Sequence, residues 1–324
     1  MLTRRELLTA ATAAAATSLS GQALAQAFPS RPIRLVVPFP PGGTGDVQAR
    51  LIGEYMAHAL GQPVLVENKP GAGTIIGSSF VAQAPADGHT LLLMANSFVI
   101  NEKLRGSTLP YGGMKAFEPV ACLTNSPQMV ACNSARPWHS LQEWMDAARA
   151  KPETVSYATF GPATTQHIAA EMLVRQARLR MIYVPFSGGA PAVNAALGGH
   201  ADSVLANVNE IQPFVEAGKL RALAVTTPQR LATMPHVPTV AESGLPGYEA
   251  SAWFGLCAPA GTPKDVVATI ARVATGAVAD AEIRRKLVAV GLEPYTMGPA
   301  QFATHINEQY AKYSKVIDEA GIKG

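Results

Sequence analysis

The most unusual residues of the chain lie at 36–50, in the stretch VVPFPPGGTGDVQAR. Its glycines let the backbone adopt conformations closed to other residues and let a ligand approach the main chain. The helical pattern that starts near Val47 leaves its first N–H groups without partners and gives them a partial positive charge. Such a turn predicts an anion site, and a carboxylate fits because both its oxygens accept hydrogen bonds. A purely structural turn with Asp46 as the helix N-cap explains the same residues.

A second turn of this kind lies at 157–167, in the stretch YATFGPATTQH. It also places small and hydroxyl residues at a helix start, where Thr164 and Thr165 offer either hydroxyl donors or N-caps. His167 falls in the first helical turn and is either a ligand contact or a solvated or capping side chain. Two such turns facing each other across a cleft would suit a ligand with two carboxylates, or with one carboxylate and another polar end.

Other kinds of chemistry lack their motifs. The stretch GGTGDVQ has no third glycine for the GxGxxG dinucleotide motif, and neither GKS nor GKT follows the turn. The sequence contains no GxSxG, HExxH or CxxC motif, and its seven histidines are scattered. We therefore expect a binding protein with no catalytic residues, no metal and no cofactor.

Strands and helices must position the two turns, and the chain alternates between them. The continuous apolar run at 33–39 is typical of a buried strand, and a helical pattern follows it. The same order restarts after residue 125, with strands predicted at 154–160 and 180–186. A strand at 251–260, two helices within 262–291 and a long helix at 299–322 complete the chain. This alternation predicts an α/β fold whose mostly parallel sheets carry helices on both faces.

The first residues are typical of a protein exported by a signal peptide. An Arg4–Arg5 pair precedes an uncharged stretch rich in alanine and leucine, and small residues suited to cleavage follow near 23–27. TRRELL also resembles the twin-arginine export signal, with Leu7 in place of the usual phenylalanine, and an ordinary secretion signal is the alternative. An oxidising compartment permits one disulfide among Cys122, Cys132 and Cys257, but buried free thiols are the favoured interpretation.

Composition limits the partners. Removing residues 1–25 takes away two arginines and one glutamate, so the formal net charge falls from +3 to +2. A nucleic-acid partner would need a clustered basic face, and so small a net charge argues against one. The remaining length of about 300 residues is enough for two hydrophobic cores.

The ordered motifs resemble those of the Bug-type extracytoplasmic solute receptors, the substrate-binding proteins of tripartite tricarboxylate transporters. The resemblance covers essentially the whole chain after the signal peptide. Its segments are, in order, PIRLVVPFPPGGTGDVQAR, GQPVLVENKPGAGTIIG, APADGHTLLL, YVPFSGGAPAVNAALGGHAD and GKLRALAVTTPQRLATMPHVPTVAESGLPGYEASAWFGLCAPAGTP.

The resemblance implies a two-lobed periplasmic binding protein of the Venus-flytrap type II class, acting as a monomer. Residues 26–125 and 251–324 would form lobe 1 and residues 126–250 lobe 2, with the ligand in the cleft between them. It also implies a small carboxylate as ligand, bound largely through main-chain groups, and membrane permease subunits as partners. The ligand-binding residues that it implies are Phe39, Pro41, Gly42, Gly43, Thr44, Asp46, Ala95, Asn96, Ser97, Phe160, Gly161, Ala163, Thr164, Thr165, His167, Ser187, Gly188, Gly189 and Asn207.

Two departures from the family pattern bear on the ligand. Pro162 and Ala163 replace an Asn-Gly pair, and the proline removes one backbone donor from the second turn. Asn207 stands where many members carry an aspartate, which favours a plain organic acid over an amino acid. The leading hypothesis is a periplasmic receptor that delivers an organic acid or dicarboxylate to a permease. The alternative is a sensor that presents a carboxylate or aromatic acid to a membrane signalling partner without transport.

Overall fold

Strands and helices alternate along the computed structural model, which describes residues 28–162 and 164–322. The predicted signal peptide at 1–25 and the predicted contact Ala163 lie outside the described residues. The strands are β1 (Ile33–Val37), β2 (Val64–Asn68), β3 (Thr90–Ala95), β4 (Phe117–Asn133), β5 (Ser156–Thr159), β6 (Ile182–Pro185), β7 (Ser203–Asn207), β8 (Leu220–Val225), β9 (Ser251–Pro259) and β10 (Glu293–Met297). The α-helices are α1 (Thr44–Leu60), α2 (Ile75–Ala82), α3 (Ser97–Arg105), α4 (Leu141–Ala150), α5 (Thr165–Gln176), α6 (Gly189–Leu197), α7 (Val208–Glu216), α8 (Lys264–Ala279), α9 (Ala281–Ala289) and α10 (Pro299–Ala320).

The first half of the sheet has the order β2-β1-β3-β9-β4, with β10 also paired to β4. β1 pairs in parallel with β2 and β3, whereas β9 is antiparallel to β3 and β4. Successive residues of β1 face opposite sides, so Leu35 packs into a core beneath α1 and α8 while Val36 packs into a core beneath α3 and α10. All six residues of β3 are buried, as expected of a strand covered by helices on both faces.

The second half has the order β4-β7-β5-β6, with β8 also paired to β4. β5 is parallel to β6 and β7, and β7 is antiparallel to β4. One core, with Trp144 and Leu173, lies against α4 and α5, and the other, with Val193 and Ile211, lies against α6 and α7. This half therefore has its own pair of cores, so the two halves together have four, whereas the length and composition predicted two.

The two halves share β4. Pro127 is the last residue of β4 that pairs with β9, opposite Ser251, and Gln128 is the first that pairs with β7, opposite Asn207. The second crossing lies near Ala250, whose N–H donates to Thr226 O while Thr226 N–H donates to Gln128 O, both at 2.9 Å. This change of partners supports the proposed lobe boundaries at 125/126 and 250/251, which remain a proposal.

Most predicted elements are present, and β4 is the main element that the sequence did not indicate. Two prolines, Pro119 and Pro127, interrupt its pattern, and a proline cannot donate a ladder hydrogen bond. The pairing of β4 with β9 shifts in register just after Pro119, so the strand accommodates that proline as an irregularity. The predicted α/β class is confirmed.

All three cysteines are buried and unpaired, which confirms the interpretation of free thiols. Cys122 and Cys257 lie in the same core of the first half, and Cys132 lies in the second. Among the helices that the structure describes, none combines the length and apolar character that a membrane crossing requires.

Candidate functional site

A cavity of about 840 Å³ lies between the two halves. The first turns of five α-helices contribute residues to its wall, and each of these helices follows a strand after no more than six residues. Their first wall residues are Thr44 (α1), Ser97 (α3), Thr165 (α5), Gly189 (α6) and, next to the start of α7, Asn207. Helix N-termini carry unpaired N–H groups and a partial positive charge, so the cavity is suited to an anion.

The first predicted turn leads from β1 into α1. Gly43 is the N-cap of α1 and gives the helix no side-chain cap, so the first N–H groups of α1 depend on other acceptors. Gly42 has a φ of +78°, a conformation that favours glycine. A methyl group at position 45 would lie 2.8 Å from the Phe39 ring, so glycine is also needed there for packing. Phe39, Pro41, Gly42, Gly43 and Thr44 all line the cavity, as predicted.

Asp46 is not the N-cap of α1, and that prediction is wrong. Asp46 is the third residue of the helix, since the chain becomes helical already at Thr44. Its carboxylate accepts hydrogen bonds from Gly42 N at 2.9 Å, Asn68 Nδ2 at 3.0 Å and Arg50 Nη2 at 2.9 Å. Burial alone would raise the pKa of Asp46, but these hydrogen bonds outweigh burial and lower it. Asp46 fixes the shape of the turn from outside the cavity wall.

The second predicted turn leads from β5 into α5. Thr164 is its N-cap, because its hydroxyl accepts from His167 N at 3.2 Å and donates to Gly161 O at 2.8 Å. Gly161 has a φ of +98°, and a methyl group there would lie 2.9 Å from Phe186 O. Phe160, Gly161, Thr164 and Thr165 line the cavity opposite the first turn. The two turns that the sequence singled out therefore share one cavity.

Polar side chains join the halves across the cavity. Asn207 Nδ2 donates to Thr44 Oγ1 at 2.9 Å, and Thr44 Oγ1 donates to Asn209 Oδ1 at 2.9 Å. Gln166 Nε2 donates to Asn207 Oδ1 at 2.8 Å and so connects the start of α5 to the same group. Thr44, which belongs to the first half, is thus held by two asparagines of the second.

The charge in the cavity wall is unusual for an anion site. Among the described residues no lysine, arginine or histidine lines the cavity, and its charged side chains are Glu210 and Glu216. Burial raises the pKa of Glu210 to about 7, although hydrogen bonds from Asn207 and Thr44 act in the opposite direction. Within residues 28–162 and 164–322 no cluster of histidine, cysteine, aspartate and glutamate could hold a metal ion. Attraction for an anion must therefore come from backbone N–H groups and neutral side chains.

Three predicted contacts, Asp46, Asn96 and His167, do not line the cavity. Asn96 is fully buried, where its Nδ2 donates to Ser251 O and Tyr313 Oη and its Oδ1 accepts from Trp253 N at 2.8 Å. His167 stacks on Tyr183 with ring centroids 4.6 Å apart, and burial lowers its pKa. Asn96 holds β9 to α10, and His167 belongs to the packing behind α5, so both are structural in this arrangement.

The remaining predicted residues, Ala95, Ser97, Ser187, Gly188, Gly189 and Asn207, line the cavity. The cavity wall also contains Glu210, Asn209, Gln166 and several aromatic residues that the sequence motifs did not indicate. The spacing of Asn207 and Glu210 could have indicated Glu210, because an asparagine followed three residues later by glutamate is typical of a helix start. The aromatic residues Phe186, Phe214 and Phe254 give no such signal, since apolar residues occur throughout the cores.

Comparison with known proteins identifies a family with the same architecture. A model of the tripartite tricarboxylate transporter family receptor matches residues 48–322. A Pseudomonas protein of the tcbD–tcbE intergenic region is 35% identical over 98% of this chain and 94% of its own. Protein BugT of Bordetella pertussis is 32% identical over 95% of each chain.

Solved structures agree with that family. The periplasmic binding protein BugD superposes with a TM-score of 0.85 at 31% identity over 91% of this chain and 99% of its own. A Rhodopseudomonas palustris protein solved with adipate gives a TM-score of 0.87 at 31% identity, covering 91% of this chain and 99% of its own. MatC of R. palustris, with bound malate, gives a TM-score of 0.83 at 32% identity, covering 90% and 100%. These neighbours confirm the predicted periplasmic-binding-protein fold.

Replacing Asp46 tests the role that the structure gives it. We expect Asp46→Asn to lower the free energy of unfolding by about 2 kcal/mol, because the new amide group faces three donors and loses a charged partner. Since the pKa of Asp46 is lowered on folding, its stabilisation is complete above the unfolded-state pKa and is lost as the pH falls through the folded-state value. The difference between wild type and variant in urea unfolding should therefore shrink below about pH 4.

Asp146→Asn is the matched control, because Asp146 is exposed and pairs with Arg149 within α4. It should change stability by less than about 0.5 kcal/mol. A loss for Asp46→Asn no larger than for the control would contradict the bracing role of Asp46.

Proposed function

The chain belongs to the tripartite tricarboxylate transporter receptor family, and from that premise we propose that it captures a small carboxylate in the periplasm and delivers it to the membrane permease of such a transporter. The family is one of receptors, which confirms the prediction that this protein is not an enzyme. The carboxylate, the permease and the periplasmic location of this chain are parts of the proposal.

The observation that carries the proposal is the cavity in which five helices begin and no cationic side chain is present among the described wall residues. Unpaired N–H groups hold a carboxylate by charge-assisted hydrogen bonds, each of which contributes about 1.5–3 kcal/mol. Recognition through backbone N–H groups suits acids with different substituents, because these N–H groups contact only the carboxylate that all the acids share. Phe39, Phe160, Phe186 and Phe254 give the cavity apolar walls for the rest of the ligand.

Two relatives support the ligand class. One R. palustris relative was solved with adipate and another with malate, both small dicarboxylates. Each aligns with at least 90% of this chain, so the cavity lies within the shared region. We therefore propose that the ligand of this chain is also a carboxylate. The number of its carboxylate groups depends on the side chains of this cavity.

Closure of the two lobes is the step by which the receptor would report that it is loaded. The first turn belongs to lobe 1 and the second to lobe 2, so a ligand held by both makes contacts that an open form lacks. That difference in affinity shifts the population toward the closed form. Thr44, with its hydrogen bonds to Asn207 and Asn209, is the group of lobe 1 that would engage lobe 2 on closing.

Amide analogues test recognition through N–H groups. A thermal-shift screen of three- to eight-carbon acids selects a ligand, and calorimetry then compares that acid with its primary amide. Loss of two charge-assisted hydrogen bonds should raise Kd about a hundredfold or more. Equal affinity for acid and amide would rule out the carboxylate proposal.

Cleavage of the signal peptide tests whether the protein is exported. Because a charged start, an apolar stretch and an A-x-A site follow one another, the mature chain should begin at Gln26 or Phe28. N-terminal sequencing of protein from the periplasmic fraction gives the answer, and soluble protein that retains Met1 would contradict export.

Closure is tested by solution scattering with the acid selected above. We expect a smaller radius of gyration on saturation, with the hinge near 125–128 and 250–253. Thr44→Val should bind more weakly and close less, whereas Thr269→Val is the control because that hydroxyl bonds only to Asp265 O within α8. Scattering curves that do not change at verified saturation would exclude closure.

A further inference from the structure

A carboxylate of the protein itself lies where the first turn would hold a ligand anion. Glu210 is the third residue of α7, and its Oε2 accepts from Asn207 N at 3.4 Å. Thr44 at the start of α1, in the other half of the molecule, lies close enough to oppose the rise in the pKa of Glu210. A methyl group at position 43 would lie 3.6 Å from Glu210 Oε1, and one at position 189 would overlap the carboxylate.

Three helix N-termini therefore converge on this one side chain. They are the starts of α1 at Thr44, of α6 at Gly189 and of α7 at Asn207. Glycine at 189 leaves the space that the carboxylate fills. Positive ends of helices attract an anion, and here the protein supplies that anion from its own sequence. The N–H groups that face Glu210 at these helix starts are not free to donate to a second carboxylate.

We propose that Glu210 selects the ligand: the end that reaches the start of α1 is a hydrogen-bond donor, a hydroxyl or ammonium group, and the single carboxylate lies at the second turn. This inference rests on the proposed function and narrows it to hydroxy or amino monocarboxylates. The carboxylate is held by the N–H groups at the start of α5 that Thr164 does not cap and by the backbone around Gly161. The donor meets Glu210, Thr44 and Asn209, all of which offer acceptor oxygens.

A second carboxylate in the same place would meet Glu210 at close range away from bulk water. Two carboxylates in one site cannot both remain ionised at little cost, so one of them takes up a proton. Burial already raises the pKa of Glu210 to about 7, which makes Glu210 the group that protonates. A dicarboxylate should therefore bind together with one proton, and its affinity should rise as the pH falls through 7. A hydroxy monocarboxylate suits the ionised form of Glu210, so its affinity should instead fall as the pH falls through 7.

Other titratable groups near Glu210 do not account for this pH dependence. α6 and β7 contain no charged residue. On α1, Asp46 is paired with Arg50 outside the cavity wall. Glu216 lies at the opposite end of α7, and His167 on α5 stacks on Tyr183 behind the wall.

Six-carbon acids that differ only at the far end provide the test. Calorimetry at pH 6 and pH 8 compares 6-hydroxyhexanoate, hexanoate and adipate on the wild-type protein. We expect 6-hydroxyhexanoate to bind more tightly than hexanoate at pH 8, and to bind about tenfold more weakly at pH 6 than at pH 8. Adipate should bind about tenfold more tightly at pH 6 than at pH 8, with uptake of one proton measured in buffers of different ionisation enthalpy.

Glu210→Gln supplies the second measurement. In this variant adipate affinity should no longer depend on pH and should exceed that of the wild type at pH 8. Glu102→Gln is the control, since Glu102 is another carboxyl whose pKa burial raises, but it lies on α3 away from the cavity wall. It should leave the pH dependence of adipate binding as in the wild type. The proton uptake of the wild type decides the question even if Glu210→Gln fails to fold.

Two results would overturn the inference. Adipate that binds the wild type equally at both pH values without proton uptake would remove the role of Glu210 while leaving the carboxylate function intact. Failure of every acid in the three- to eight-carbon screen to bind at either pH would overturn the carboxylate function and the inference with it.

Discussion

Backbone N–H groups at the start of a helix must find acceptors, and this constraint governs the centre of the molecule. Strands that end at one edge of a sheet deliver their helices to the same place, so five helix starts meet around the cavity. Thr164 satisfies one start with its own hydroxyl. Gly43 and Gly188 cap α1 and α6 without any side-chain acceptor. An acceptor for those groups has to come from elsewhere in the fold or from a ligand.

The shared strand β4 gives the cavity its two-sided character. One half of β4 is built into the sheet that carries the first turn and the other half into the sheet that carries the second. Side chains of the two halves meet where their turns face each other, as Thr44 meets Asn207 and Asn209, and also where Ile168 of α5 packs into the core beneath α3 and α10. A rotation about the crossings near 127 and 250 would separate the turns and would also shift the packing of Ile168 against the first half. In the proposed function, the contacts between the turns link ligand binding to closure.

Glu210 changes what the family pattern means for this chain. A neutral amide at Asn207 disfavours a ligand ammonium group only if the cavity contains no anionic side chain. The structure places a carboxylate against the same asparagine, with its oxygen 3.4 Å from Asn207 N. Two relatives were solved with different dicarboxylates, adipate and malate, so membership of the family does not identify a single ligand. In the proposed function, ligand specificity depends on a few side chains, such as Glu210, that occupy backbone N–H groups to which a ligand carboxylate would otherwise bind.

The sequence by itself determined the class of fold, the alternation of strands and helices, and the two turns suited to an anion. These features follow from local rules: apolar periodicity, glycine at positive φ in Gly42 and Gly161, and unpaired N–H groups at helix starts. It misplaced Asp46 by treating it as a cap, because the first helical residue depends on where β1 ends and on the partners Arg50 and Asn68. It could not exclude Asn96 or His167 from the wall, since a polar residue next to a turn points inward or outward according to packing from distant elements. Only the tertiary structure brought Glu210 to Thr44 across 166 positions of the chain, because contacts between separate halves depend on how their cores pack and not on neighbouring residues.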